Sequence, residues 1–403
     1  MINKLDYNYV SKMGKYFRLS KKPPIFTHGK DEFLFTSNKK SFLDFSCGSG
    51  TTILGHNNLS QKNNLKSKID LGLLHTGPHF MSPIHLKYFH ELKIFFKNDF
   101  NVFNTTTNGT EATETAFKLA FHHTKKKKII YFEGSYHGRT GYSMSSSDMK
   151  GVNKNYYQNK NFIKCKFNNI DDFKKKFNKN KNDLAAIIIE PIQATSGFNF
   201  SESKFLKELR RIANKNSCLL IFDEVWTGFG KCGHNFAYEY YKVKPDIIIL
   251  GKSIGGGMPL GLVAFNNTLD HDFPGAQSST FQGNIISIYN SFFFLKILKK
   301  INYLKKIKRI ENFMISQKNI LKSYKFVNDF RGIGNMWGIE IDINYSKEKD
   351  LTNLIRAQLL TKGLITWECG IEGNVIGLIP PICTSNKSLN SSINILTTTL
   401  NDF

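Results

Sequence analysis

Five short apolar runs, spaced through the middle of the chain, leave few choices of fold. They are "KKIIYFEG" (127–134), "DLAAIIIEP" (183–191), "SCLLIFDEV" (217–225), "PDIIILGK" (245–252) and "PLGLVAF" (259–265). Each is rich in β-branched residues, and none shows the polar alternation of a strand with one wet face. Such runs are strands buried on both faces. Between several of them lie charged segments with helical spacing. In "SKFLKELRRIANK" (203–215), Phe205, Leu206, Leu209 and Ile212 fall on one side. Strand–helix–strand order predicts an α/β domain with a mainly parallel central sheet.

The flanks differ. Residues 1–45 hold strand-like pieces such as "DEFLFTSNKKSFLDF", and "SFFFLKILKKINYLKKIKRI" near residue 291 is helical. After it, "RGIGNMWGIEIDI" and "GNVIGLIPPI" read as short strands around glycine turns. A chain of 403 residues exceeds the usual size of one core. The expected division is a large domain over 46–290, a smaller α+β lobe over 291–403, and an N-terminal segment, 1–45, that joins the lobe.

Composition excludes more than it assigns. No apolar run approaches the roughly 18 residues of a membrane span. The N-terminus has no continuous apolar stretch of the secretory kind. The six cysteines are scattered with no C-x-x-C pair, so no zinc spacing is present and a reduced, cytoplasmic setting is expected. The net charge of +24 is spread evenly. Lys far outnumbers Arg and travels with Asn, as in "KKKFNKNKND". That pattern is a compositional bias, so neither a nucleic-acid nor a membrane partner is expected.

The chemistry gathers at strand ends. Asp223 closes one apolar run and Lys252 closes the next, followed by "SIGGG". A carboxylate and an amine thus reach the same rim of the sheet, where ligands of open α/β sheets bind. A desolvated lysine loses its proton readily and suits a nucleophile. In "TTTNGTEATETAFKLAFHH" (105–123), Gly109 and Thr110 open a helix whose free N–H groups form a phosphate site. "YFEGSYHGRTG" (131–141) adds Tyr136 to stack on a flat ring and Arg139 to hold a carboxylate. A phosphate cradle, a ring stacker, a buried acid and a rim lysine are what pyridoxal 5'-phosphate (PLP) requires of a protein.

The long stretch "IFDEVWTGFGKCGHNFAYEYYKVKPDIIILGKSIGGGMPLGLV" resembles the signature of class III, fold type I, PLP-dependent aminotransferases. "ILGHNN", "NGTEATETAFKLA", "IIIEPIQATSGF", "STFQGN" and "RGIGNMWGIEI" occur in that family's order. The early segments are similar to glutamate-1-semialdehyde aminomutase, and "YHGRT" to the ornithine and γ-aminobutyrate aminotransferases. The resemblance implies that Lys252 is the Schiff-base lysine and proton carrier, and that Asp223 pairs with the pyridine nitrogen. It implies that Val225 and Tyr136 pack the two ring faces, that Gly109 and Thr110 bind phosphate, and that Gln193 reaches the ring hydroxyl. Glu190 and His137 line the pocket. Thr280 binds the phosphate of the other subunit's cofactor, which makes the enzyme a homodimer with sites at the interface. No metal is implied.

Two positions depart from the family pattern. Thr195 stands where many members have Glu, and Gly377 where many have Arg. In those members the pair admits the α-carboxylate of glutamate. Loss of both leaves no unpaired charge, so the reading is a changed substrate pocket. Arg139 remains to clamp a carboxylate, and Glu368 and Glu372 are expected to face solvent. The implied activity is transfer of an amino group between an amine or amino acid and a keto acid or aldehyde. The alternative is an intramolecular aminomutase or an amino-acid racemase or epimerase on the same scaffold. A non-catalytic basic binding protein conflicts with an intact Lys252 and Asp223.

Overall fold

The computed structural model describes residues 10–11, 18–149, 158–345 and 350–403. At its centre is a seven-stranded sheet. Its order is Val102–Thr106, Gly261–Phe265, Ile247–Leu250, Leu219–Asp223, Leu184–Ile189, Lys128–Phe132 and Phe162–Cys165. All five predicted runs are in it. Gly261–Phe265 is antiparallel to both neighbours, while the other pairings are parallel. The reason is local. Residues 251–260 hold only a short 3-10 turn, and a parallel return needs a crossover of a dozen or more residues. The two outer strands, "VFNTT" and "FIKC", hold only two consecutive apolar residues each and gave no such run in the sequence.

Alternate residues of the central strands feed two separate cores. Leu220, Phe222, Ile248 and Leu250 point to one face, beneath helices Pro83–Phe95, Ser203–Asn216 and Ile285–Lys300. Leu219, Ile221, Ile247 and Ile249 point to the other, beneath helix Gly109–Thr124. Each such side chain removed from water contributes about 1.5–3 kcal/mol. Burial on both faces explains why these strands lack alternation in sequence.

A third core is built mainly from the C-terminal part, with Phe330, Trp337, Ile339, Ile355 and Leu396, joined by Leu43 and Phe45. Its sheet is antiparallel, in the order Val327–Ile333, Met336–Ile341, Val375–Leu378 and Trp367–Cys369. The N-terminal strands Phe26–Lys30, Phe33–Thr36 and Ser41–Asp44 form another small sheet, completed by Leu364–Ile365 running parallel to Ser41–Asp44. Residues 1–9 and 12–17 of the N-terminal segment lie outside the described residues. No helix among the described residues is long and apolar enough to cross a membrane.

Candidate active site

The carboxyl ends of the parallel strands meet at a cavity of about 310 Å³. Asp223 is the last residue of its strand, Glu190 follows Ile189, and Lys252 follows Leu250 by two. Tyr136 and His137 come from the loop after Lys128–Phe132, and Gly109 and Thr110 open the helix that follows Val102–Thr106. Seven residues named from sequence therefore line one space with Val225: Gly109, Thr110, Tyr136, His137, Glu190, Asp223 and Lys252.

Asp223 is buried, and its two oxygens have different partners. Oδ1 accepts the Val225 N–H at 3.0 Å, and Oδ2 lies 2.7 Å from His137 Nδ1. Opposite a carboxylate, Nδ1 is the nitrogen that carries the proton. His137 Nε2 is buried in the cavity wall with no hydrogen-bond partner. Glu190 is also buried, and its Oε1 accepts the Tyr136 N–H at 2.9 Å. Burial, then the charge of Asp223, pushes the Glu190 carboxyl well above the usual carboxylate range.

Lys252 sits in a left-handed turn with φ 48°. Its Nζ lies 4.5 Å over the ring of Trp226. Desolvation brings the amine down to about 8, against the opposing pull of Asp223 and Glu190. At neutral pH a useful fraction is therefore the free base. Gly251 is confined: a Cβ there would lie 3.2 Å from Val225 Cγ1 and 3.4 Å from the Gly109 Cα. The lysine turn and the helix start are thus in direct apposition.

That helix start is capped by Asn108, whose Oδ1 accepts the Glu111 N–H at 2.9 Å. The first-turn N–H groups have no partner inside the helix and face the cavity with the positive end of the helix dipole. Thr280 is exposed and lies in a groove on the outer side of the same turn, with Thr107, Asn108 and Thr110.

Other expected residues stand apart from the cavity. Gln193 is buried beside it, but its Nε2 donates to the Glu133 carbonyl at 2.7 Å and its Oε1 accepts from Ser196. Arg139 is exposed, with Nε 3.1 Å from the Tyr136 hydroxyl and its guanidinium 5.7 Å from that ring's centre. Glu368 does not simply face solvent: it pairs with Arg18 at 2.7 Å and with the buried Arg356 at 3.6 Å. The structure adds Trp226, Thr51, Met258, Pro259 and Leu260 to the lining. Trp226 lies inside the same sequence motif as Asp223, yet spacing alone gave it no role, since its ring reaches the cavity only because Gly50 leaves space for it.

The family model for class-III aminotransferases matches residues 18–400. The chain belongs to that family. It is 31% identical over 391 residues to acetylornithine aminotransferase of Aquifex aeolicus, covering 95% of this chain and 98% of that protein. It is 31% identical over 315 residues to glutamate-1-semialdehyde 2,1-aminomutase of Wigglesworthia glossinidia brevipalpis, covering 73% and 70%. An (S)-enantioselective omega-transaminase from Thermomicrobium roseum superimposes with a TM-score of 0.91 at 20% identity, over 98% of this chain and 96% of that one. The fold is that of fold type I transaminases.

As a class III aminotransferase the protein is a PLP-dependent transaminase. Its residues fit the cofactor on their own terms. The cavity brings together a helix start with open N–H groups, an amine lowered to about 8, a buried carboxylate and the orphaned Nε2 of His137. Glycine at 109 keeps the approach clear, because a Cβ there would already lie 3.1 Å from Val225 Cγ2.

Proposed function

We propose that this aminotransferase uses Lys252 as the amine that engages PLP and relays a proton, with Asp223, His137, Tyr136, Val225, Gly109 and Thr110 holding the cofactor. The observation that carries this is the meeting of Lys252, Asp223 and the Gly109 helix start in one cavity. PLP when bound supplies an aldehyde that condenses with amines and a ring that accepts electrons. Asp223, oriented by the His137 Nδ1 contact and the Val225 N–H, keeps a proton at the ring nitrogen. Lys252 Nζ, as free base, would take up and hand back a proton at the edge of the cavity where the substrate's reacting carbon would lie. Trp226, Leu260 and Tyr136 exclude water around that transfer.

The substrate reading follows from Thr195 and Gly377. Neither carries a charge, so glutamate's α-carboxylate is not received through the family's common pair. Arg139, held on the Tyr136 hydroxyl, is the cation we assign to a substrate carboxylate. The homodimer reading is supported by the exposure of Phe80 (72%), Leu71 (66%), Leu86 (64%) and Phe281 (61%), the last beside Thr280. With a second copy over that face, Thr280 would meet the partner's cofactor. We also propose the cytoplasm as its compartment, and the division at about 45 and 290; the pairing of Leu43 with Leu364 supports the first boundary, while helix Ile285–Lys300 crosses the second and packs on the large sheet.

The test is a visible spectrum of the PLP-loaded protein and a half-reaction with a panel of amines. A cofactor band that Lys252→Ala removes, and an amine-loaded form that a keto acid reverses, are the expected results. A colourless wild type that takes up no PLP would overturn the proposal. Isomerisation with no need for a keto acid would favour the aminomutase reading.

A further inference from the structure

One buried ionisable side chain has no part in the roles above. Lys231 is fully buried and follows the tight turn Phe229–Gly230, whose φ values are 60° and 92°. A Cβ on Gly230 would lie 2.5 Å from the Tyr303 ring, so the turn is pinned against helix Tyr303–Ser316. From the C-terminal side, Asn335 N–H donates to the Lys231 carbonyl at 3.1 Å. Gly334 closes on that carbonyl so tightly that a Cβ there would lie 2.1 Å from its oxygen. The Lys231 backbone is therefore fixed from outside the large sheet.

Its side chain runs the other way, toward the active site. Nζ donates to Ser253 Oγ at 2.7 Å, and Ser253 Oγ donates onward to the Gly50 carbonyl at 2.9 Å. Ser253 is the residue after Lys252. Lys252 itself holds the left-handed conformation, which costs a residue with a side chain some strain. Lys231 makes no ion pair with a carboxylate among the described residues. The titratable groups facing it are Cys47, Lys252, Cys232 and Glu224. Burial brings its amine down to about 7; Lys252 adds to that, and Cys47, Cys232 and Glu224 oppose it. A buried amine without a counter-ion is costly. A methionine of similar volume would carry no such cost, so stability alone does not account for a lysine here.

We propose that Lys231 is a positioning residue: through its bond to Ser253 it holds the left-handed turn that presents Lys252 to the cavity. The proposal rests on Lys252 being the reactive amine.

The test compares Lys231→Met, Lys231→Arg and Ser253→Ala with wild type. The readouts are kcat and KM in the PLP-loaded protein and, in the cofactor-free protein, the rate of Lys252 acylation by acetic anhydride, followed by mass spectrometry. Met, which cannot donate to Ser253, should lower kcat about tenfold with little change in KM and should change the acylation rate; Arg, which keeps a donor, should restore most of both. Ser253→Ala should lower kcat in the same way. Unchanged kcat and acylation in Met, or unchanged kcat in Ser253→Ala, would overturn the proposal. If the Met variant does not fold, Arg and Ser253→Ala decide. A cofactor band that survives Lys252→Ala would instead sink the reading of Lys252, a separate failure.

Discussion

Asp223 is where one atom decides most. Its Oδ1 and Oδ2 are both engaged and its side chain is buried. Asp223→Asn keeps the shape and removes the charge that holds a proton on the cofactor ring. Turnover should drop by about a hundredfold or more while the cofactor band persists; steady-state kcat beside a PLP titration checks this. Lys231 gives a second prediction, in stability. Its amine falls from 10.5 to about 7 on folding. Below about 7 the full cost of burying it is present, and the cost fades as pH rises toward 10.5, because the unfolded chain then binds the extra proton. Lys231→Met should therefore be more stable than wild type near pH 6, with the gap narrowing by pH 9. Denaturant midpoints at the two pH values measure it, and a gap that widens would contradict the burial argument.

Among elements, the hairpin that carries Gly377 constrains substrate choice. Gly377 faces Trp367 across the pair of strands, and a Cβ at 377 would lie 3.0 Å from Trp367 Cβ. Trp367 in turn packs on Trp226, with ring centres 5.4 Å apart. Thr195 remains beside this hairpin, since its carbonyl accepts the Gly370 N–H at 3.0 Å. Thr195→Glu with Gly377→Arg should therefore fail to restore glutamate use and should cost about 1–3 kcal/mol through overpacking. Adding Trp367→Ala should make room and raise glutamate turnover. The half-reaction with glutamate, run on double and triple variants, tests the order. At the start of helix Gly109–Thr124, Gly109→Ala should weaken PLP retention about tenfold, because the new methyl pushes Val225 and the helix start apart; dialysis followed by the visible spectrum reads it.

For the whole molecule, the exposed Phe80, Leu71 and Leu86 are apolar surface that a partner would cover. A second copy predicts a dimer by light scattering and its loss in Phe80→Glu. It also predicts that Thr280→Ala releases PLP about tenfold faster, although Thr280 does not line the cavity that holds Lys252 in its own chain. A monomeric wild type with full activity would count against both expectations.

The sequence by itself determined the central strands, the order of the motifs and the rim on which Asp223 and Lys252 emerge. These depend on local patterning: β-branched runs, a capped helix start, and ionisable residues placed at strand ends. It also carried the family resemblance, because those features recur at the same order along the chain. It did not determine the direction of Gly261–Phe265, which depends on how far residues 251–260 reach. Nor did it determine that Glu368 pairs with Arg18 and Arg356, or that Gln193 turns toward Glu133. The bond from Lys231 to Ser253 spans 22 positions, and the packing of Gly377, Trp367 and Trp226 joins a C-terminal hairpin to a distant segment. Such contacts have no period and no fixed spacing. They exist only once the folded chain has excluded water from between them.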